Sequence, residues 1–459
     1  MKYTKDEVIQ YAQEEDVKFI RLTFCDVFGK QKNVAVMPDE LPRAFDQGIP
    51  FDASFIAGFG DGSHSELLLH PEPDTLMPLP WRSEHGRVVQ MFSSITHPDG
   101  TPFPCDTRSL LKKAVCEAEK HGVEFTFGTE QEFYLFMLDE NGKPTTTPCD
   151  DAGYMDIAPE DRGENVRRET CLTLEEMGIR TESSYHEEGP GQNEIDIPFA
   201  GALAAADNAM TFQRVVKTVA HRNGLAADFS PKPLADYPGN GFYINVSLRP
   251  DSKETDLSHM IAGILRHYNS LAVFVDPREA AYDRLRYHSS KLIRIPAVID
   301  GRCSAEMRYL DPTANPYLSF ALIIYAGLDG MLNELPLSGS SINDMTLDGS
   351  EKFLSYEQLP GNFLEACETS AADRRAAGLP RLSGGGRDLR VRQPHGLAAL
   401  FQPRRQAEGR EKHGAAGRAQ VQEALLQEPL RRAAAARAPG PGAVRHGRDF
   451  AAGRAGDRP

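Results

Sequence analysis

Gly128–Phe136 reads GTEQEFYLF, and the residues around it set the reading of the fold. From Val123 to Met137 the odd positions are mostly apolar: Val123, Phe125, Phe127, Phe133, Leu135 and Met137, with Thr129 and Gln131 between. Glu124, Glu130 and Glu132 fall on the even ones. Alternation of this kind is strand periodicity, because successive side chains of an extended chain point to opposite faces. Glu130 and Glu132 therefore share a face, about 7 Å apart along it. Two carboxylates so placed repel one another unless something positive lies near. A divalent cation, an Arg or Lys partner, or exposure to water each resolves the repulsion.

The chain has 459 residues and a net charge of -15. That length suffices for more than one domain. The charge argues against a nucleic-acid-binding body, since phosphate backbones require a basic face. The average hides a break, however. Residues 371–459 hold 18 Lys and Arg against 8 Asp and Glu, a net +10, so residues 1–370 carry -25. No apolar run is long enough to span a bilayer, and MKYTKDEVIQ has no hydrophobic signal core, so a cytoplasmic protein without a membrane partner is expected. The seven cysteines are scattered and form no CxxC pair, which argues for reduced thiols and against a cysteine-based zinc site.

Along the chain, residues 4–15 have the pattern of a short amphipathic helix. VKFIRLTFCDVFGKQKNVAV, residues 17–36, reads as two strands around a turn at Phe28–Gly29–Lys30. After Pro38 the sequence is loop-rich, and a small β-rich domain is expected to end near Pro104. Residues 106–122 then show helical spacing with Thr107 as cap. Strand-like runs (FTFGTEQEFYLF, NEIDIPF, FYINVSL, IRIPAVI) alternate with helical ones at 164–177, 202–222, 256–274 and 316–332. Within the larger domain, 105–370, this predicts antiparallel sheet with helices outside, so that with the small β-rich domain 1–104 the fold is α+β. Residues 371–459 are dominated by Arg, Ala, Gly and Pro and lack Ile, Tyr, Trp and Asn. Such material cannot bury enough apolar surface to offset the entropy of ordering. It reads as a shifted frame of GC-rich coding DNA, expected to be disordered with at most an isolated helix near 418–426; a basic tail for an acidic partner is the other reading.

Further clusters carry chemistry. In YHEEGPGQNEIDI, residues 185–197, Glu187 and Glu194 flank a Gly-Pro-Gly bend that can return one carboxylate toward the other. CSAEMRYLDPTANPYL places Glu306 and Arg308 two apart, on one strand face. GNGFYINVSL, residues 239–248, brings a loop of little side-chain bulk into a strand, where backbone amides can approach a substrate closely.

Taken in order, FDASFIAGF, GTEQEFYLF, HEEGPGQNEI, GNGFYINVSL, AYDRL, LIRIP and AEMRYLDPTANPYL resemble type I glutamine synthetase from about residue 17 to 364. The resemblance implies a small N-terminal β-grasp-like domain and a catalytic domain whose antiparallel strands form a metal-binding funnel. It implies ATP-dependent ligation of ammonia to the γ-carboxylate of L-glutamate through γ-glutamyl phosphate, a reaction of glutamine biosynthesis and nitrogen metabolism. Two Mg²⁺ or Mn²⁺ ions per site are implied, since oxygen-rich sites suit such hard cations. By resemblance Glu132, Glu187 and Glu194 match the first site, and Glu130 and Glu306 the second. Gly239, Arg284 and Arg308 match substrate-binding positions, the two arginines holding the glutamate carboxylate and the phosphoryl group. Glu182, Phe199, Ser247 and Arg294 match positions near ATP, and Asp52 the acid that binds ammonium. Considered singly, Asp52 also reads as a turn cap, Arg284 as a surface ion-pair partner and Phe199 as core. Family members form two stacked hexameric rings, so a homododecamer is implied, with Asp52 acting in the neighbouring subunit's funnel.

The chain departs from the family pattern in three places. Tyr243 stands where the family has a metal-binding histidine, and a neutral phenol, of pKa ~10, is a poor Mg²⁺ ligand. AYDRLRYHSSKLIRIP is shorter than the pattern by roughly a dozen residues, the stretch that carries a lid glutamate and a phosphate-facing arginine. The resemblance fades near LPGNFLEAC, and the tyrosine that some members adenylylate is absent. Competing expectations are ligation of glutamate to another amine, and a catalytically impaired relative that binds nucleotide or a partner without catalysis.

Overall fold

The structure is a computed structural model that describes residues 3–59, 65–82, 86–248, 254–287, 292–296, 303–337, 352–354 and 365–366. The expectations for residues 371–459 and for most of LPGNFLEAC lie outside the described residues, as do positions 288–291 of the shortened segment.

The N-terminal part runs α1 (Lys5–Glu14), β1 (Val17–Cys25), β2 (Gln31–Val36), α2 (Leu41–Asp46), β3 (Ile49–Asp52), β4 (Glu66–Pro71), β5 (Met77–Pro78) and β6 (Arg87–Thr96). Thr4 starts α1 through a capping box with Glu7. These strands form a sheet ordered β2-β1-β6-β4-β3, with β5 against β6. The pair β1–β6 is parallel. The stretch after Pro38, read as loop-rich, contains four strands. Pro and Gly punctuation masks them, but Leu67, Leu69, Val89, Met91 and Ile95 bury on one face against Ile20, Leu22 and Val8 of the same core.

The larger part comprises α3 (Thr107–Lys120), β7 (Phe125–Leu138), β8 (Pro144–Pro148), α4 (Glu164–Glu176), β9 (Ser184–His186), β10 (Gln192–Gly201), α5 (Ala202–Arg222), β11 (Leu225–Asp228), β12 (Phe242–Leu248), α6 (Glu254–Val275), α7 (Glu279–Tyr287), β13 (Ile293–Ile295), β14 (Ser304–Leu310), α8 (Pro316–Leu332) and β15 (Lys352–Leu354). The four helices expected from periodicity are all present, within two residues at each end. The cap of α3 is Asp106 rather than Thr107: its carboxylate accepts the amide of Arg108, and Thr107 is the first helical residue. Thr107 is wholly buried and receives the side-chain amide of Asn315 instead.

A nine-stranded sheet ordered β15-β13-β14-β12-β7-β10-β9, with β8 and β11 on β7, is antiparallel at every described pairing. β7 is its spine, and the odd side chains Phe125, Phe127, Phe133 and Leu135 anchor the core beneath. Phe127 stacks on Phe320 of α8 with centroids 4.4 Å apart. Arg108 of α3 makes a buried bidentate pair with Asp207 of α5, at 2.9 and 2.8 Å, and the Tyr317 hydroxyl of α8 donates to the same carboxylate at 2.6 Å. Three helices are thus tied at one point behind the sheet. Asn315 joins the two parts of the chain: its carbonyl caps α8 while its amide donates to the carbonyls of Asp26, at 3.1 Å, and Val27, at 3.4 Å.

Helices α6 and α8 cross in close contact because Gly263 and Gly330 face each other. A Cβ on Gly263 would sit 2.1 Å from the Ala326 carbonyl oxygen. Gly263→Ala is therefore expected to cost about 1–3 kcal/mol by overpacking, read as a lower denaturant midpoint with unchanged slope.

Candidate active site

The functional side chains lie on the even-numbered face of β7 and on the strands beside it. Register decides who meets whom. Glu132 is directly opposite Glu194 on β10, and Glu130 opposite Asp196. On the other side Glu130 faces Tyr243 of β12, and Asn245 faces Glu306 of β14, which in turn faces Arg294 of β13. Like charges directly opposite in an antiparallel pair destabilise it. Here both members of the Glu132–Glu194 pair are buried, at 5 % and 2 % exposure.

The loop before β10 completes the cluster. Gly191 takes a positive φ of 68°. A Cβ on Gly189 would collide with the Tyr134 hydroxyl at 2.0 Å. Only glycine allows the bend to lie this close to β7, and it returns Glu187 to the two paired glutamates. Carboxylate oxygens of Glu132, Glu187 and Glu194 lie within 4.8 Å of one another, as do those of Glu130, Glu194 and Asp196.

Each acid is held from behind. Glu132 accepts the Gln192 side-chain amide at 2.8 Å and the Gly241 backbone N–H at 2.9 Å through one oxygen. Tyr185 donates to Glu194 at 2.9 Å, and Asn245 to Glu130 at 2.6 Å. The Ser183 hydroxyl donates to Asp196. Burial, then the charges of Glu306 and Asp196, push Glu130 up to about 8; burial and Glu132 push Glu187 up to about 7. Glu194 and Glu132 are raised too, chiefly by burial.

Beside the cluster, His186 places Nε2 3.0 Å from Asp150 and Nδ1 2.7 Å from the carbonyl oxygen of Glu187, fixing the backbone that carries that glutamate. Burial opposes ionisation of both partners, but the mutual bond raises His186 and holds Asp150 below the usual carboxylate range.

The remaining predicted residues divide. Glu306, 1 % exposed, does not lie with Glu130 in an acidic triad; Arg294 bonds one of its oxygens at 2.9 Å and Arg308 the other. Arg308 also stacks its guanidinium over the Tyr243 ring, 4.3 Å from the centroid. Arg284, 1 % exposed, donates to the carbonyls of Arg308 at 3.2 Å, Tyr309 at 2.7 Å and Leu310 at 3.1 Å, so it faces the strand rather than the funnel. Gly239 is packed against Arg284 and receives the Gln192 amide on its carbonyl at 3.2 Å. The Ser247 hydroxyl donates to the Cys303 carbonyl at 2.7 Å, Phe199 lies against Gly128, and Glu182 is exposed. Asp52 is exposed on the N-terminal part and accepts the Ser54 amide at 2.9 Å, as a turn cap does.

The architecture has known counterparts. The family model described as "Glutamine synthetase, catalytic domain" matches residues 104–378, and that described as "Glutamine synthetase, beta-Grasp domain" matches residues 16–98. The chain belongs to the glutamine synthetase family. Curated relatives named glutamine synthetase include one from Clostridium saccharobutylicum, 41% identical over 392 residues, covering 80% of this chain and 88% of that protein. One from Methanosarcina mazei is 39% identical with the same coverage. Among solved structures, "Apo GmaS without ligand" superposes with TM-score 0.69 at 28% identity, covering 81% of this chain and 91% of that one. Plasmodium falciparum glutamine synthetase shares the fold, with TM-score 0.70 at 20% identity over 82% of this chain and 92% of its own.

Sequence reasoning missed Asp196, Asn245, Gln192, Tyr185 and His186. Alternation in QNEIDI could have found Gln192 and Asp196, which share the face of Glu194; the others depend on cross-strand register.

The raised carboxyls give the metal-free protein a definite pH response. Their folded values exceed the unfolded ones near 4.5, so the stability they contribute is full below pH 4.5 and lost as pH rises through about 7 and 8. A bound divalent ion replaces those protons. The rise in Tm on adding Mn²⁺ is therefore expected to be larger at pH 8.5 than at pH 6, measured by thermal melts. Glu132→Gln is expected to raise the metal-free Tm and to abolish the ion-dependent rise.

Proposed function

We propose that this chain is an ATP-dependent glutamate–ammonia ligase, forming γ-glutamyl phosphate and then glutamine, ADP and phosphate. The observation that carries this reading is the triad Glu132, Glu187 and Glu194, brought together by strand register and the glycine bend inside a glutamine synthetase fold.

The donor set fits a hard cation: carboxylate oxygens alone, converging from two strands and a glycine bend, with charges that repel when nothing sits among them. Mg²⁺ or Mn²⁺ held there would neutralise charge developing on the transferred phosphoryl. The second ion implied by family resemblance lacks comparable support, because Glu306 is committed to Arg294 and Arg308 and a phenol stands at position 243.

The chain's own residues do the rest. Arg308, with 28% of its side chain exposed, can donate to a phosphoryl or carboxylate oxygen through nitrogens that Glu306 does not use. Arg284 acts through β14: by bonding three successive carbonyls it fixes the strand that aims Glu306 and Arg308. Loop 239–241 brings backbone close to the triad, with the Gly241 amide already on Glu132. Glutamate is assigned to the space between Gly239 and Arg308. ATP is assigned to the side bearing Glu182, Phe199, Ser247 and Arg294. Asp52, exposed and outside this funnel, is assigned to ammonium in a neighbouring subunit of a homododecamer.

The test is phosphate release from ATP with Mg²⁺ and glutamate, with and without ammonia. Release that depends on ammonia, with glutamine as product, is expected; release that instead responds to putrescine would move the acceptor to a larger amine. Glu132→Gln is expected to lower kcat at least 100-fold, consistent with removal of a positioned electrostatic group. If the assembly is as proposed, size-exclusion chromatography gives a dodecamer, and Asp52→Asn raises the ammonia KM without changing that elution.

A further inference from the structure

The groups that face a second cation position are already engaged. Glu306 is 1 % exposed and gives one oxygen to Arg294, at 2.9 Å, and the other to Arg308. Tyr243, 6 % exposed, lies beside Glu132, and its ring is 4.3 Å from the Arg308 guanidinium. Glu130 has one oxygen on the Asn245 amide at 2.6 Å. The acidic group of Glu130, Glu194 and Asp196 does not supply an independent alternative. It shares Glu194 with the first triad; Tyr185 holds one oxygen of that carboxylate at 2.9 Å, and Asp196 is bonded by Ser183. Once an ion sits with Glu132 and Glu187, the remaining oxygen of Glu194 is committed.

Building on the ligase reading, we propose that this chain works with one divalent cation, held by Glu132, Glu187 and Glu194, and that the Arg308 guanidinium stands in the second cation position. The aromatic face of Tyr243 and the carboxylate of Glu306 make a seat for a permanent positive charge: one offers quadrupole attraction, the other a charge-assisted bond. A guanidinium in that seat gives planar donors to an anionic oxygen and does not exchange with solution, as an ion does. Tyr243 is then the residue that selects arginine over metal. Its ring presents a π-face to a cation, whereas a phenol is a poor ligand for a hard ion.

The experiment is a Mn²⁺ titration of the full chain without nucleotide, counting bound ions per subunit from the EPR signal of the free ion. One ion is expected, absent in Glu132→Gln and retained in Glu130→Gln. Two ions in the unmodified chain, or one that survives Glu132→Gln and disappears in Glu130→Gln, overturns the proposal. No bound ion overturns it together with the metal-dependent reading, whereas one ion without ammonia-dependent phosphate release sinks the ligase reading and leaves the count standing. Arg308→Ala, which frees one oxygen of Glu306, and Tyr243→His, which replaces the phenol ring with a nitrogen ligand, are each expected to raise the count from one to two. A gain in either supports the exchange of arginine for metal. A gain in neither, with both variants folded by circular dichroism, overturns the role assigned to Arg308.

Discussion

The Glu132–Glu194 pair is the constraint on which the rest of the site depends. Two carboxylates opposite each other across an antiparallel ladder, both buried, cannot both be charged without a compensating partner. The surrounding residues offset part of this cost: the Gln192 amide, the Gly241 N–H and the Tyr185 hydroxyl each bond an oxygen from behind. What remains is met by protons or by a cation. Stability is thereby coupled to ligand binding, because the same repulsion that weakens the sheet is the driving force for taking up an ion.

The core beneath makes that repulsion bearable. β7 buries Phe127, Phe133 and Leu135 on its other face, and Phe127 stacks on Phe320. Behind them the Arg108–Asp207–Tyr317 node fixes three helices, and the Gly263–Gly330 crossing lets α6 and α8 approach closely. A rigid floor holds the carboxylates at a set separation, which is what an ion site requires and what a flexible loop could not provide.

Positive charge enters from the opposite side of the funnel. Arg294 and Arg308 converge on Glu306, while Arg284 clamps the backbone of β14 from within the core. The site is thus divided into an acidic half on β7 and β10 and an arginine half on β13 and β14, with β12 between them. Tyr243 is at the seam, beside Glu132 on one side and stacked under Arg308 on the other. This division suits a reaction in which a cation and a guanidinium hold an anionic phosphoryl group between them.

Legible in the residues alone were the alternation that puts Glu130 and Glu132 on one strand face, the glycine bend that returns Glu187 toward Glu194, and the four long helices. These are local properties, governed by a period of two or 3.6 residues and by the backbone freedom of glycine. The strands after Pro38 and the Asp106 cap were obscured because short elements carry little periodic signal. Packing was needed to show that Asn245 meets Glu130, that Glu306 belongs to two arginines, and that Arg284 turns inward to β14. The first two follow from the register between strands distant in sequence, which depends on how the apolar faces pack together, and the third from the bonds that Arg284 of α7 makes to the carbonyls of β14.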